Sequence, residues 1–79
     1  MKPEDAFAQV LRRLRKDKGL SQEELAHQSD LDRTYISLLE RGLRQPSLSS
    51  ILRLSKSLGV SSADILAEVE EKLNEDSPT

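Results

Sequence analysis

The side chains best placed to do chemistry in this sequence are hydrogen-bonding groups rather than nucleophiles. Gln22, Arg33, Thr34, Tyr35, Ser37 and Arg44 crowd into one stretch. A guanidinium can donate two parallel hydrogen bonds to guanine, and a Thr can touch a base edge or a thymine methyl. A Gln amide at a helix start, with the backbone N–H groups there, can hold a phosphate oxygen. Arg33, Thr34 and Tyr35 fall in the first turn of a predicted helix, the part of a groove-entering helix that meets the bases. Reactive alternatives are poorly supplied. The chain has no Cys, and its only histidine, His27, has no second ligand at metal spacing. No nucleophile–base–orienter set or paired-acid arrangement can be singled out, so neither an enzyme nor a cofactor or small-molecule site is expected.

Two short helices must position these groups. Ser21 with Glu24 three residues on reads as a capping box, starting a helix from Gln22 to about Gln28 that buries Leu25 and Ala26. Asp30-Leu31-Asp32 breaks it, and Asp32 can cap a second helix beginning at Arg33. Gly42 offers the left-handed position that ends that helix. Ile36 and Leu39 share its buried face, Thr34, Leu38 and Arg41 fall opposite, and Ser37 lies between. Glu40 falls on the same face as Ile36, where an unpaired carboxylate is costly. On periodicity alone the pair could equally be an ordinary helical hairpin with a solvated polar face.

The flanking segments also read as helical. Pro3 suits the first turn of a helix from about Glu4 to Lys18, with Phe7, Val10, Leu11 and Leu14 as its buried stripe and Gly19 closing it. Its basic cluster (Arg12, Arg13, Arg15, Lys16, Lys18) fits phosphate contact or simply a solvated face. Ser47, after Pro46, can cap a fourth helix ending near Leu58 and Gly59. Leu48, Ile51, Leu52, Leu54 and Leu58 are more apolar positions than one core stripe needs. A fifth helix starting at Ser61 or Ser62 carries Ile65, Leu66, Val69 and Leu73, again too many for a helix that only caps a core. A symmetric dimer built on Ile65, Val69 and Leu73, helped by the end of the fourth helix, would set two reading helices about 34 Å apart. Within that helix Ile65 and Leu66 are expected to face mainly the core, and Val69 and Leu73 mainly the partner. Residues 75–79 have the composition of a frayed tail, leaving 1–74 as one domain.

Composition agrees with a small all-α domain. Seventy-nine residues sit near the lower limit for one unaided core. Net charge is −2, yet residues 1–60 carry +3 and residues 61–79 carry −5. The field near a DNA surface therefore differs in sign from the total. With no membrane-spanning apolar run and no signal-like start, a cytoplasmic protein without membrane contact is expected.

The residues Gly19-Leu20-Ser21-Gln22-Glu23-Glu24-Leu25-Ala26, then Leu31, Tyr35-Ile36-Ser37 and Leu39-Glu40-Arg41-Gly42, resemble the helix-turn-helix of the Xre/phage-repressor family. The run Asp32-Arg33-Thr34-Tyr35-Ile36-Ser37, with Arg44 just beyond, is similar to controller proteins of restriction-modification systems. The resemblance implies a five-helix, lambda-repressor-like fold with helices 2 and 3 as the helix-turn-helix. It implies sequence-specific binding of double-stranded DNA as a homodimer on an inverted-repeat operator, regulating transcription. It also implies that Arg15 turns inward to pair with Glu40 and that Gln22 braces the reading helix. Arg44, with Gln45 beside it, would reach bases or phosphate, while Ser50 and the amides of Ser47 to Ser49 would hold backbone phosphates, although the same serines fit capping and loop solvation equally well. Tyr35 would stack or hydrogen-bond at the groove wall. Leu38 departs from the polar residue many relatives carry, so it meets a thymine methyl or is simply exposed. Two rivals remain. One is an antitoxin whose acidic fifth helix and tail neutralise a toxin. The other is a protein-interaction module of the same fold, against which intact Gln22, Arg33, Thr34 and Arg44 argue.

Overall fold

The structure, a computed structural model, describes residues 1–75 as five helices: α1 (Pro3–Asp17), α2 (Gln22–Ser29), α3 (Arg33–Glu40), α4 (Leu48–Leu58) and α5 (Ser62–Glu75). Among the described residues there is no strand. Of the tail expected at 75–79, Glu75 is instead the last residue of α5, and residues 76–79 lie outside the described residues.

Each boundary has a local chemical cause. The Ser21 hydroxyl accepts from the Glu24 amide at 3.0 Å while the Glu24 carboxylate accepts from the Ser21 amide at 2.9 Å, so two orphan donors at the start of α2 are satisfied reciprocally. Asp32 accepts from the Thr34 amide at 3.4 Å, and Ser47 from the Ser50 amide at 3.1 Å. The exit of α3 is the tightest. Gly42 has φ of 70°, and the Leu43 amide donates back to the Leu38 carbonyl at 3.0 Å, closing the last turn. A Cβ at Gly42 would sit 2.5 Å from Asp5 Oδ1, so the Asp5 carboxylate of α1 occupies the space a side chain would need here. Asp30 makes the corresponding turn after α2 at φ of 55° without being a glycine.

Helix α1 packs against α3 and α5, α2 against α3 and α4, and α4 against α5. Phe7, Val10 and Leu11 meet Leu25, Ile36, Leu39, Leu54, Leu58, Ile65 and Val69 in one core. Each large apolar side chain fully buried there contributes about 1.5–3 kcal/mol relative to exposure. Seryl hydroxyls pin the outer helices, Ser29 to Ser57 at 2.9 Å and Ser55 to Ser62 at 3.0 Å.

Helix α5 is rotated relative to the expectation. Ile65 and Val69, one turn apart, are 2% and 8% exposed and belong to the core, whereas Leu66 is 43% exposed. Leu73 is half-buried against the same core. Ile65 and Val69 therefore face mainly the core, and Leu66 is not a core residue. The physical reason is the docking of α5 on α1, where Arg13 reaches both Glu68 of α5 and Asp17 of its own helix. Burial of Ile65 and Val69 in the shared core sets the turn of α5 about its axis, and the exposed Arg13 contacts lie at its rim. On α4, Leu48 and Leu52, again one turn apart, point out at 72% and 53% exposure.

Candidate nucleic-acid interface

Local folding brings four of the expected contact residues together. Gln22 opens α2, and Arg33, Thr34 and Ser37 lie along the first turns of α3; the four line one shallow concavity. Arg33 and Thr34 are exposed, and Gln22 and Ser37 are half-buried. Leu38 is also half-buried, while Arg44 and Gln45 are exposed on the loop after α3. The arrangement presents a guanidinium fork, two hydroxyls and an amide on one face, with no reactive group among them.

Beneath this face lies a polar anchor. Arg15 Nε and Nη2 donate to Glu40 Oε2 and Oε1 at 2.6 and 2.9 Å, a bidentate pair between α1 and the end of α3. The Arg15 side chain is 12% exposed and that of Glu40 only 2%. Hydrogen bonding to Glu40 raises the Arg15 pKa further above its ordinary value, against the opposing effect of burial. Arg15 Nη1 also donates to the Leu20 carbonyl at 2.8 Å, and Gln22 Nε2 donates to Glu40 Oε1 at 3.1 Å. Arg12 reaches the main-chain carbonyl of Glu40 at 3.4 Å, placing a cation at the negative end of α3. Among the described residues, no buried side-chain nitrogen or oxygen lacks a partner.

Two expected contact residues have other work. Ser50 is 4% exposed; its amide donates to Ser47 Oγ, and its hydroxyl donates to Tyr35 Oη at 3.0 Å. It supports the interface from behind instead of holding a phosphate itself. Tyr35 is half-buried against the core, and its oxygen also accepts from the Ser47 amide at 3.2 Å. The ring is thus no free stacking platform, and with two bonds already accepted its own hydroxyl proton is what remains to offer. Burial pushes the phenol pKa up, but hydrogen bonds from Ser50 and Ser47 and the charge of Arg44 outweigh it, leaving the net value below the ordinary one. The Ser47–Ser50 spacing, a cap and its third residue, is the only sequence signal that could have flagged this tie. At the start of α4 the first-turn amides of Leu48 and Ser49 stay outside the ladder.

No helix of the described residues is long and apolar enough to cross a membrane, and none of their acidic and histidine side chains cluster as metal ligands.

The helix-turn-helix family model matches residues 11–65. Control protein C.BamHI from Bacillus amyloliquefaciens is 51% identical over 61 residues, covering 76% of this chain and 75% of its own. Among solved structures, the restriction-modification controller protein C.AhdI from Aeromonas hydrophila superposes with a TM-score of 0.76 at 47% identity, over 78% of this chain and 94% of that one. The controller protein C.Esp1396I, solved as a tetramer in complex with its natural 35 base-pair operator, gives a TM-score of 0.81 at 33% identity, over 91% of this chain and 95% of that one.

Proposed function

The chain belongs to the helix-turn-helix family of DNA-binding transcriptional regulators, and we propose that it acts as a homodimeric controller protein of a restriction-modification system, in the cytoplasm, on an inverted-repeat operator. The observation that carries the reading is the shared concavity of Gln22, Arg33, Thr34 and Ser37, held on a reading helix locked from below by Arg15 and Glu40. Helix α3 enters the major groove. Arg33 donates its fork to guanine N7 and O6, and Thr34 touches the neighbouring base edge. Arg44, the Tyr35 hydroxyl and the first-turn amides of α4 take phosphates on the flank. The likeness to control proteins supports the restriction-modification setting.

Support for the dimer comes from what one copy leaves uncovered. Leu48 and Leu52 of α4 and Leu66 of α5 are exposed, and Leu66 borders a shallow apolar groove formed with Pro3, Phe7, Pro46, Ile51 and Val69. A second copy related by a twofold axis covers this surface and doubles the base contacts, which a domain this small needs for selective binding. The acidic residues of α5 then cluster at the dimer centre, away from the phosphates.

Arg33→Ala tests the reading. Competition between operator and scrambled duplexes should show specific binding weakened by about 1–3 kcal/mol and preference relaxed at one base position. An Arg33→Ala protein that keeps full operator preference would refute it.

A further inference from the structure

Leu38 is an apolar side chain on the polar side of its helix. At a helical turn of about 100° per residue it falls about 40° from Thr34, while Ile36, Leu39 and Glu40 hold the buried face. It is half-buried, yet it belongs neither to the core nor to the apolar side chains packed against it. The way α3 ends accounts for its surroundings. The Gly42 amide donates to the Leu39 carbonyl at 3.2 Å and the Leu43 amide to the Leu38 carbonyl at 3.0 Å. This double closure folds the residue after the glycine back onto the last turn and characteristically pairs two apolar side chains, here Leu38 and Leu43. Leu43 nevertheless stays 62% exposed, and Arg44 beside it is exposed as well. The two leucines thus make an apolar ledge one turn beyond Thr34, facing away from the core.

Such a ledge has a specific counterpart in the major groove. Hydrogen-bonding side chains read base edges, but the thymine 5-methyl is read by apolar contact. A phosphate would only lose hydration against two leucines. Leu38 follows Thr34 by about 6 Å along the helix, within two base-pair rises of about 3.4 Å, so the ledge falls over a base pair near those that Arg33 and Thr34 meet. We propose that Leu38, walled by Leu43, is a specificity-determining residue that selects a pyrimidine carrying a 5-methyl group, an inference that rests on the DNA-reading function above. A leucine side chain neither donates nor accepts, so the same ledge takes thymine and 5-methylcytosine alike. Binding then responds to cytosine methylation as well as to sequence.

The test starts from an operator recovered with the wild-type protein from a random duplex library. Each thymine is replaced in turn by deoxyuridine, which removes the 5-methyl and keeps every hydrogen-bonding group. At one thymine of a half-site the replacement should weaken wild-type binding about fourfold, the worth of one buried methyl. That loss should vanish in Leu38→Ala, checked by circular dichroism to be folded. It should persist in Thr34→Ser, which removes the other methyl near the bases. With cytosine placed at the same position, 5-methylation of that cytosine should tighten binding by about the same factor. Tolerance of deoxyuridine at every thymine overturns the proposal without recourse to any variant. So does a loss that survives Leu38→Ala, or one that vanishes in Thr34→Ser and so belongs to the threonine methyl. A selection that enriches no sequence overturns the DNA-reading function and this inference together.

Discussion

Removing the carboxylate of Glu40 is the most informative single perturbation of the fold. In Glu40→Gln, three donors (Arg15 Nε, Arg15 Nη2 and Gln22 Nε2) face an amide that offers one acceptor atom and one further donor. The guanidinium, with a side chain 12% exposed, loses its counter-charge. Breaking one partner of a buried pair costs about 3–5 kcal/mol, and the residual exposure of Arg15 argues for the lower end, about 3 kcal/mol. A domain of this size has roughly 4–12 kcal/mol in total, so the loss is a large fraction. Urea denaturation should show a lower midpoint at unchanged slope, and the melting temperature should fall by about 12 °C or more. Arg15→Leu alone should cost a similar amount. The double variant Arg15→Leu with Glu40→Leu should cost much less than the two singles together, because no uncompensated charge stays buried. Single variants that lose less than about 1 kcal/mol, or strictly additive losses, would refute the argument.

Three further outcomes follow from the geometry. Leu66→Glu, on an exposed position, should leave a folded monomer with weakened operator binding, whereas Val69→Glu, 8% exposed, should unfold the chain; sedimentation and circular dichroism separate them, and a dimeric Leu66→Glu protein would exclude that surface. Asp30→Gly should stabilise by about 1 kcal/mol in chemical denaturation, since only glycine adopts φ of 55° without penalty, the Arg53 bond to the main-chain oxygen is kept and only its exposed 3.8 Å contact with the Asp30 carboxylate is lost; a destabilised variant would show the turn is not strained. The Glu24 carboxyl is held below its ordinary 4.5 by accepting from the Ser21 amide and, to a lesser degree, its hydroxyl, so its contribution is present above that value and lost as pH falls through the lowered one; an NMR titration should find the depressed value, and Ser21→Ala, which keeps the amide, should lessen the depression without abolishing it.

What the sequence made legible was mostly local. The boundaries of α2, α3 and α4 follow from Ser21, Glu24, Asp32, Gly42, Ser47 and Gly59, whose chemistry acts within a turn. The grouping of Gln22 with Arg33, Thr34 and Ser37 was legible because two short helices joined by a tight turn leave little freedom between them. The rotation of α5 was not. Ile65, Leu66, Val69 and Leu73 are spaced so that two settings about 100° apart each bury a plausible stripe. Only the docking on α1, with Ile65 and Val69 in the shared core, selects one. The bond between Ser50 and Tyr35 was illegible for a related reason. Polar residues near a groove carry the same signal whether they face DNA or bond each other, and the link between them spans 15 positions of chain.

The Tyr35–Ser47–Ser50 tie has a mechanical consequence. Residues 41–47 would otherwise be a hinge between α3, the proposed reading helix, and the helix that carries Leu48 and Leu52. With the Tyr35 oxygen holding both the Ser47 amide and the Ser50 hydroxyl, the start of α4 is tied to α3 and motion between them is restrained. In a symmetric dimer the separation of the two reading heads is then set like the jaws of a fixed-gauge calliper. Each added base pair advances a half-site about 3.4 Å and turns it about a tenth of a revolution around the duplex. If the proposed dimer forms, a protein restrained in this way resists both displacements, and operator spacing itself would become part of what is recognised.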